Sequence, residues 1–361
     1  MSAPAIPFWS SVGLVADREI RSKLRSKAFV ISGVILLLAV LASIIFGSVA
    51  AQNPEDIKVA AAPGATQVVS GLDGVDVTTT ADVAEAEQLV RDETVAAAVV
   101  PDDGTLGYSL VALDSEPDDL VMLLSVSPEV QLLDPAPTHP ILVYLVALGF
   151  GLIFFMAALT FGATIAQSVV EEKSTRVVEL LLSAIPARAL LAGKVIGNSV
   201  LALGQIVLIA LAATAALALT GQQNLLTALG PSVIWFIAFF AVGFVLLAAI
   251  FAASAALVSR QEDVGAVTTP VTMLVMIPYF LIVFFNDNDL VLTIMSYVPF
   301  SAPVGMPMRI FLGTAEWWEP LLSLAIMLAT TAAVVVLGAR VYENSLLRMG
   351  GRVKLGEALR G

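Results

Sequence analysis

Residues 169–197, VVEEKSTRVVELLLSAIPARALLAGKVIG, place seven charged side chains between two long apolar runs, 141–168 and 190–219. Each run is long enough to cross the hydrocarbon of a bilayer, which takes about 20 residues of helix. A charged link between two such runs makes them separate spans joined at a membrane surface, and that settles the class of the fold. Four more runs of this kind occur at 29–49, 232–258, 264–285 and 321–340. The 361 residues are 58% hydrophobic and 13% charged, with a mean hydropathy of +0.92, outside the range of soluble domains. The expected fold is an α-helical polytopic membrane protein with six transmembrane helices, the first at 29–49.

Several chemistries are excluded. The chain has no Cys and a single His, His139, so disulfides, Cys/His zinc sites, haem ligation and Cys-His or Ser-His catalysis lack their parts. There is no H-E-x-x-H, no G-x-S-x-G and no G-x-x-x-x-G-K-[ST] phosphate loop. No catalytic or metal-ligating residue is assigned, and no nucleic-acid partner is expected. Apart from Lys194, near a helix start, and Arg340, at the last position of its run, the six runs contain no Asp, Glu, Lys, Arg or His. Proton-driven pumps place such groups at mid-membrane, so a self-contained proton-coupled transporter is disfavoured.

The net charge of −12 conceals a sorting of signs. With the N-terminus in the cytoplasm, only Lys58, Arg91 and Arg309 fall outside and the other fifteen Lys and Arg fall inside. The positive-inside rule thus orients a multi-pass protein of the cell membrane with both termini cytoplasmic. Ser48-Val49-Ala50 resembles a signal-peptidase site, but the segment before the apolar run is too long for a signal peptide, and an uncleaved first helix is expected.

Residues 1–28 hold Trp9, Val12, Ala16, Ile20 and Leu24 at near-helical spacing, with Asp17/Arg21 and Glu19/Lys23 as i,i+4 pairs. They are read as a cytoplasmic amphipathic interfacial helix, or as a basic tail drawn to anionic lipid. Residues 50–140 carry 17 Asp/Glu against two Lys/Arg, and β-like pieces (IKVAAA, VDVTTT, AAAVV, LGYSLVAL) alternate with helical ones. They are expected to form a small extracytoplasmic acidic α/β domain inserted between helices 1 and 2. Residues 290–313 are apolar but interrupted by Pro299, Pro303 and Pro307, which suits either an outer re-entrant hairpin or an apolar surface loop. Tyr144, Trp235, Trp317 and Trp318 fall at outer boundaries, as an aromatic belt does.

In the opening stretch, Glu172, Arg176 and Glu179 share one face of a helix over 171–185, and Val177, Val178, Leu181, Leu182 and Ile185 make the other. Pro186 ends it. Periodicity alone allows two roles: docking a soluble partner, or resting in lipid headgroups.

The pattern also resembles a known family. Glu171-Glu172-Lys173, Arg176, Glu179, Leu181-Leu182-Ser183, Pro186, and Gly193-Lys194 with Gly197 are similar to the signature of ABC-2-type transporter permeases. SRQEDVGAVTTPVTMLVMIPYFL (259–281), YVPFSAPVGMPMRIFLG (297–313) and ARVYENSLLRMGGRV (339–353) resemble in particular the sodium-extrusion, NatB-like members. The resemblance spans nearly all of residues 10–355, with the acidic insertion matching only in position and general pattern.

It implies a permease subunit of an ATP-driven exporter, not itself an enzyme. The remainder of the permease domain covers 141–361, with a cytoplasmic C-terminal tail. A coupling helix at 171–185 is implied to meet a separate ATP-binding-cassette subunit, with Glu171, Glu172, Lys173, Arg176, Glu179, Gln261, Glu262 and Asp263 at the contact. ATP and Mg would sit on that partner, with no cofactor on this chain. A second permease copy, identical or related, would complete the transporter in the lipid bilayer. Pro299, Pro303, Pro307 and Arg309 are implied to form an outer re-entrant gate at 290–313. Sodium is the substrate that comes with the resemblance; drugs, lipids or peptides are alternatives. A membrane sensor or scaffold, or an ungated-by-ATP channel, are readings from other classes.

Overall fold

A computed structural model describes residues 7–52, 57–72, 74–102, 104, 106–113, 117–124, 140–175, 177–346, 348 and 353–360. Arg176 and His139 therefore lie outside the described residues. The chain opens with α1 (Phe8–Arg25) and α2 (Lys27–Gln52). It divides into two compact units, residues 46–135 and the rest.

The smaller unit is built on a four-stranded sheet. In order come β1 (Ile57–Ala61), α3 (Thr66–Val69), β2 (Val75–Thr79), α4 (Val83–Arg91), β3 (Ala97–Pro101), β4 (Tyr108–Val111) and α5 (Asp118–Leu124). The strands lie in the order β2-β1-β3-β4, with β1 parallel to both neighbours and β4 antiparallel to β3. Every expected strand segment is a strand. Alternate residues of β1 and β3 feed two cores: Val59, Ala61, Ala97 and Val99 on one face, Ala60, Ala62, Ala98 and Val100 on the other. A parallel strand buried on both faces reads as a continuous apolar run, as VAAA and AAVV do. Asp82 caps α4 by accepting from Glu85 N at 2.8 Å, and the Glu85 carboxylate accepts from Ala81 N at 2.7 Å. This reciprocal pair satisfies donors that a helix start leaves free.

The larger unit continues with α6 (Pro140–Ser174), α7 (Val177–Ala184), α8 (Ala187–Leu219) and α9 (Gln223–Ala256). A 3-10 turn (Gln261–Asp263) leads to α10 (Val264–Phe284), followed by α11 (Asp289–Tyr297), α12 (Ala302–Leu312), α13 (Glu319–Leu346) and α14 (Leu355–Arg360). Six of the described helices, α2, α6, α8, α9, α10 and α13, are long and apolar enough to cross a membrane. Lipid is as apolar as leucine, so such helices associate by close packing and interhelical hydrogen bonds rather than by escape from water. Aromatic side chains supply much of that packing between α6 and α9. Phe150 stacks on Phe236 with centroids 4.9 Å apart, and Phe154 and Phe161 meet Phe240 and Phe244 edge-on at 5.9 and 5.5 Å.

The proline-broken segment is a pair of short helices. Asn288 caps α11 through Val291 N at 3.1 Å, Pro299 lies in the link, and Pro303 opens α12, where its missing N–H costs nothing. Gly313, at φ 72°, closes α12 in the left-handed conformation that favours glycine.

The N-terminal helix corrects one expectation. Its buried face is Ser11, Val12, Val15, Ala16 and Glu19, whereas Trp9 and Leu24 are 73% and 55% exposed. The reason is α8. Gly193 and Gly197, one turn apart, let α1 approach so closely that a Cβ on Gly193 would stand 2.4 Å from the Val15 Cβ, and one on Gly197 3.0 Å from the Ala16 carbonyl oxygen. Small residues four apart admit a second backbone, and α1 buries the face that fits rather than the most apolar one. Gly193→Leu is expected to detach α1, raising proteolysis at Arg18, Arg21 and Lys23 several-fold in limited-digestion assays. Gly204→Ala, in open space on the same helix, should leave the digestion pattern unchanged.

Candidate functional site

The site begins where α6 runs on past its apolar stretch. Lys173, in the last turn of α6, is fully buried, and its Nζ donates to the carbonyl oxygens of Ala256 at 2.7 Å and Ser345 at 2.8 Å. Those carbonyls belong to the last turns of α9 and α13. Helix C-termini leave carbonyls unpaired and carry partial negative charge, so one ammonium neutralises two helix ends at once. A buried cation without a carboxylate partner is tolerable only with such oxygens around it. The same bonds place the ends of α6, α9 and α13 together.

One residue earlier, Glu172 enters a second cluster. Its Oε1 lies 3.0 Å from the Nζ of Lys194 in α8 and also accepts from Arg18 of α1. Lys194, fully buried, donates further to Glu19 Oε1 at 3.0 Å and Ser168 Oγ at 2.6 Å. Burial alone would raise the Glu19 carboxyl, but the charge and hydrogen bonds of Lys194 and Arg18 outweigh it and hold Glu19 below the usual carboxylate range. Lys23 is pushed down by burial, against the opposing pull of the Glu19 charge and with a smaller push from Lys194. The expected Glu19/Lys23 pair is thus replaced by Glu19 with Lys194, while Asp17 and Arg21 do pair, at 2.8 Å.

The stretch 171–185 is two helices, not one. Thr175 Oγ1 and Ser174 Oγ both donate to the Glu171 carbonyl, at 2.7 and 3.1 Å. Hydroxyls that bond back to the backbone in this way compete with helix continuation, and α6 stops at Ser174. In α7, Val178 is buried and Leu181, Leu182 and Ile185 pack on the core. Val177, expected on that face, is exposed, as are Glu179 and Leu180, the last at 73%.

The charged residues singled out in the sequence therefore separate into two layers. Glu172 and Lys173 are internal ties. Glu171, Glu179, Gln261 and Glu262 are exposed, and Asp263 is half-buried. The 3-10 turn that carries the last three follows directly from the α9 end that Lys173 holds. Val353 N donates to the Leu257 carbonyl at 2.9 Å and brings the segment before α14 to this same end.

Pro299, Pro303, Pro307 and Arg309 belong to the opposite end of α13. Pro303 and Pro307 are buried and Pro299 half-buried. Arg309 grips Glu319, the first residue of α13, with two parallel bonds at 3.0 and 2.8 Å. Tyr297 donates to the same carboxylate at 2.8 Å, and Arg309 also reaches Ser296 Oγ and the Thr314 carbonyl. This bidentate pair fastens α11 and α12 to α13. Tyr144, Trp317 and Trp318 are exposed, and Trp235 half-buried.

Glu19, Arg18, Ser168 and Glu319 were missed in the sequence. Lys194 offered the signal, as a lone charge inside an apolar run between two glycines, but nothing local named its partners. Lys173→Met is expected to leave the Ala256 carbonyl without its side-chain donor, at about 1–3 kcal/mol, and the Ser345 carbonyl with Arg348 N alone, and so to lower the thermal unfolding temperature in detergent, with Lys173→Arg partly restoring it. The lowered Glu19 pKa fixes a second sign. Its stabilising contribution is complete above the unfolded-state value of about 4.3 and is lost as pH falls through the lower folded value. Protease resistance of α1 should therefore hold from neutral to mildly acid pH and fall below it; Glu19→Gln should reduce it at neutral pH and flatten that dependence.

Comparison with known proteins adds three findings. The model of ABC-2 family transporter proteins matches residues 27–340. Two uncharacterized proteins are similar over part of the chain: YhaP of Bacillus subtilis, 29% identical across 55% of this chain and 50% of its own length, and MJ1024 of Methanocaldococcus jannaschii, 27% identical across 56% and 50%. The matched region spans about half the length of these curated relatives, and no solved structure matches the chain.

Proposed function

The chain belongs to the ABC-2 family of transporter proteins, and from that premise we propose that it is the permease subunit of an ATP-driven exporter, of NatB-like type. In this reading it catalyses no reaction. A separate ATP-binding-cassette subunit carries ATP and Mg, and a second permease copy completes the pathway. The six spans lie in the cell membrane with α1 and α14 cytoplasmic and the α/β unit outside, as the sorting of Lys and Arg favours.

The observation that carries the proposal is the two-layer arrangement around Lys173. Glu171, Glu179, Leu180, Gln261 and Glu262 offer an exposed charged and apolar surface, and directly beneath it Lys173 ties the end of α6 to the ends of α9 and α13. A push on α7 by a partner would thus reach three spans through two short hydrogen bonds. At the far end, the Arg309–Glu319 clasp holds α11 and α12 as one body against α13, which suits a gate that moves as a unit.

For the cargo, the larger unit favours an apolar molecule over sodium. A cavity of about 310 Å³ lies among α2, α6, α8 and α9, lined by residues such as Val40, Phe150, Ile209, Leu229 and Phe236, with Ser43, Thr214 and Gln222 among its few polar groups. Such a wall offers no charge to replace the hydration of a cation, whereas drugs and lipids need none. Sodium export remains the alternative that comes with the NatB-like resemblance.

The test is reconstitution in vesicles with the partner ATPase, following ATP-driven flux of radioactive sodium and of hydrophobic dyes. Glu179→Lys combined with Leu180→Asp is expected to cut export at least tenfold while leaving the unfolding temperature unchanged. Transport that persists without ATP, or that ignores this double change, would overturn the reading.

A further inference from the structure

Between α1, the last turns of α6 and the start of α7 lies a polar cavity of about 450 Å³, inside the range of roughly 300–1,000 Å³ usual for ligand sites. Its lining includes Lys23, Gln167, Ser168, Glu171, Glu172 and Thr175. Two groups there have unmet needs among the described residues. Glu172 Oε2 is buried with no hydrogen-bond partner, although Oε1 of the same carboxylate is bonded to Lys194 and Arg18. Lys23, three donors on a flexible stem, makes no hydrogen bond or ion pair there and lines the same cavity. A buried carboxylate oxygen without a donor costs free energy, and its occurrence calls for a missing partner.

The chemistry of that partner follows from what is left over. Glu172 Oε2 needs an N–H or O–H donor, and Lys23 needs an acceptor. Among the described residues, Arg18 and Lys23 of the lining and Lys194 behind it balance Glu19, Glu171 and Glu172, and one unmet acceptor stands beside one unmet donor, so a zwitterion that offers one of each fits better than an anion or a cation. No group of three or more His, Cys, Asp or Glu among the described residues could hold a metal ion. The cavity opens at exposed Gln167 and Glu171, where the apolar run of α6 ends, and the end of a membrane span is where lipid headgroups lie. Beside it, α1 exposes Phe8, Trp9, Leu14 and Leu24, as a helix lying in the headgroup layer does.

We infer that this cavity binds a primary ammonium linked to a phosphate, the headgroup of phosphatidylethanolamine, with the ammonium donating to Glu172 Oε2 and the phosphate accepting from Lys23. The site does not depend on the export reading and involves no transported cargo. Phosphatidylcholine is excluded by the same geometry, because its methylated nitrogen has no N–H to give.

The test uses the full-length protein, purified in detergent and offered phosphatidylethanolamine, its mono- and dimethyl derivatives, phosphatidylcholine and phosphatidylglycerol with identical acyl chains. Native mass spectrometry reads the bound lipid. Retention is expected to fall stepwise as N–H donors are lost, with phosphatidylethanolamine held about tenfold or more above phosphatidylcholine and phosphatidylglycerol. Lys23→Gln, which breaks no bond seen in the structure, should lower phosphatidylethanolamine retention without lowering the unfolding temperature. Displacement by free phosphoethanolamine at comparable concentration would support the site and assign its ligand to solution; failure to displace would support it and assign the membrane lipid. Equal retention of all the lipids would mean that water alone fills the cavity and would overturn the inference, as would undiminished retention in Lys23→Gln.

Discussion

An ammonium taken out of water must be surrounded by oxygen atoms, and the organisation of the bundle at one end depends on how two lysines meet that demand. Lys173 meets it with helix-end carbonyls of α9 and α13. Lys194 meets it with two carboxylates and a hydroxyl drawn from α1 and α6. Neither solution is available within one helix. Each lysine therefore constrains elements far apart in sequence to end at the same level, and helices that have little hydrophobic reason to associate inside lipid acquire a polar one.

The two clusters have different mechanical meanings. Carbonyls at helix ends are fixed by the backbone, so the Lys173 tie is stiff and couples α6, α9 and α13 as rigid rods. The Lys194 cluster works through side chains, with Glu19, Glu172 and Arg18 sharing charge over a short distance. Its shared carboxylates lose their charge on acidification, which weakens this cluster at low pH. At the other end, Arg309 and Glu319 form a bidentate pair whose remaining valences are taken by Tyr297, Ser296, Thr314 and Glu316 N. A buried ion pair with its lone pairs satisfied adds specificity of arrangement more than net stability.

Much of the architecture was legible in the chain. The six apolar runs appear as helices because a span needs about 20 apolar residues and little else resembles that signal. The sheet unit was legible too, since the runs of valine and alanine in β1 and β3 suit a strand covered on both faces. Pro299 and Pro303 announced a broken segment, and the paired helices α11 and α12 are the form it takes, whereas Pro307 lies within α12. The helix over 171–185 was half legible: its apolar face held at Val178, Leu181, Leu182 and Ile185, but hydroxyl bonds at Ser174 and Thr175 cut it in two.

The number of membrane-length helices, the sorting of basic residues along the chain and the family can be read from the chain alone, because each rests on composition or local order. The direction in which each charge points follows only from the packed bundle. Periodicity assigns Glu172 to a solvent-facing helix surface, since a charged residue on an amphipathic helix ordinarily seeks water, and the family resemblance places Lys173 at the same contact. Both turn inward here, because Ala256, 83 residues from Lys173, and Arg18, 154 residues from Glu172, together with Lys194 on the next membrane-length helix, reach them only once α1, α8, α9 and α13 are packed. Packing geometry is a property of the whole chain, and no local pattern encodes it.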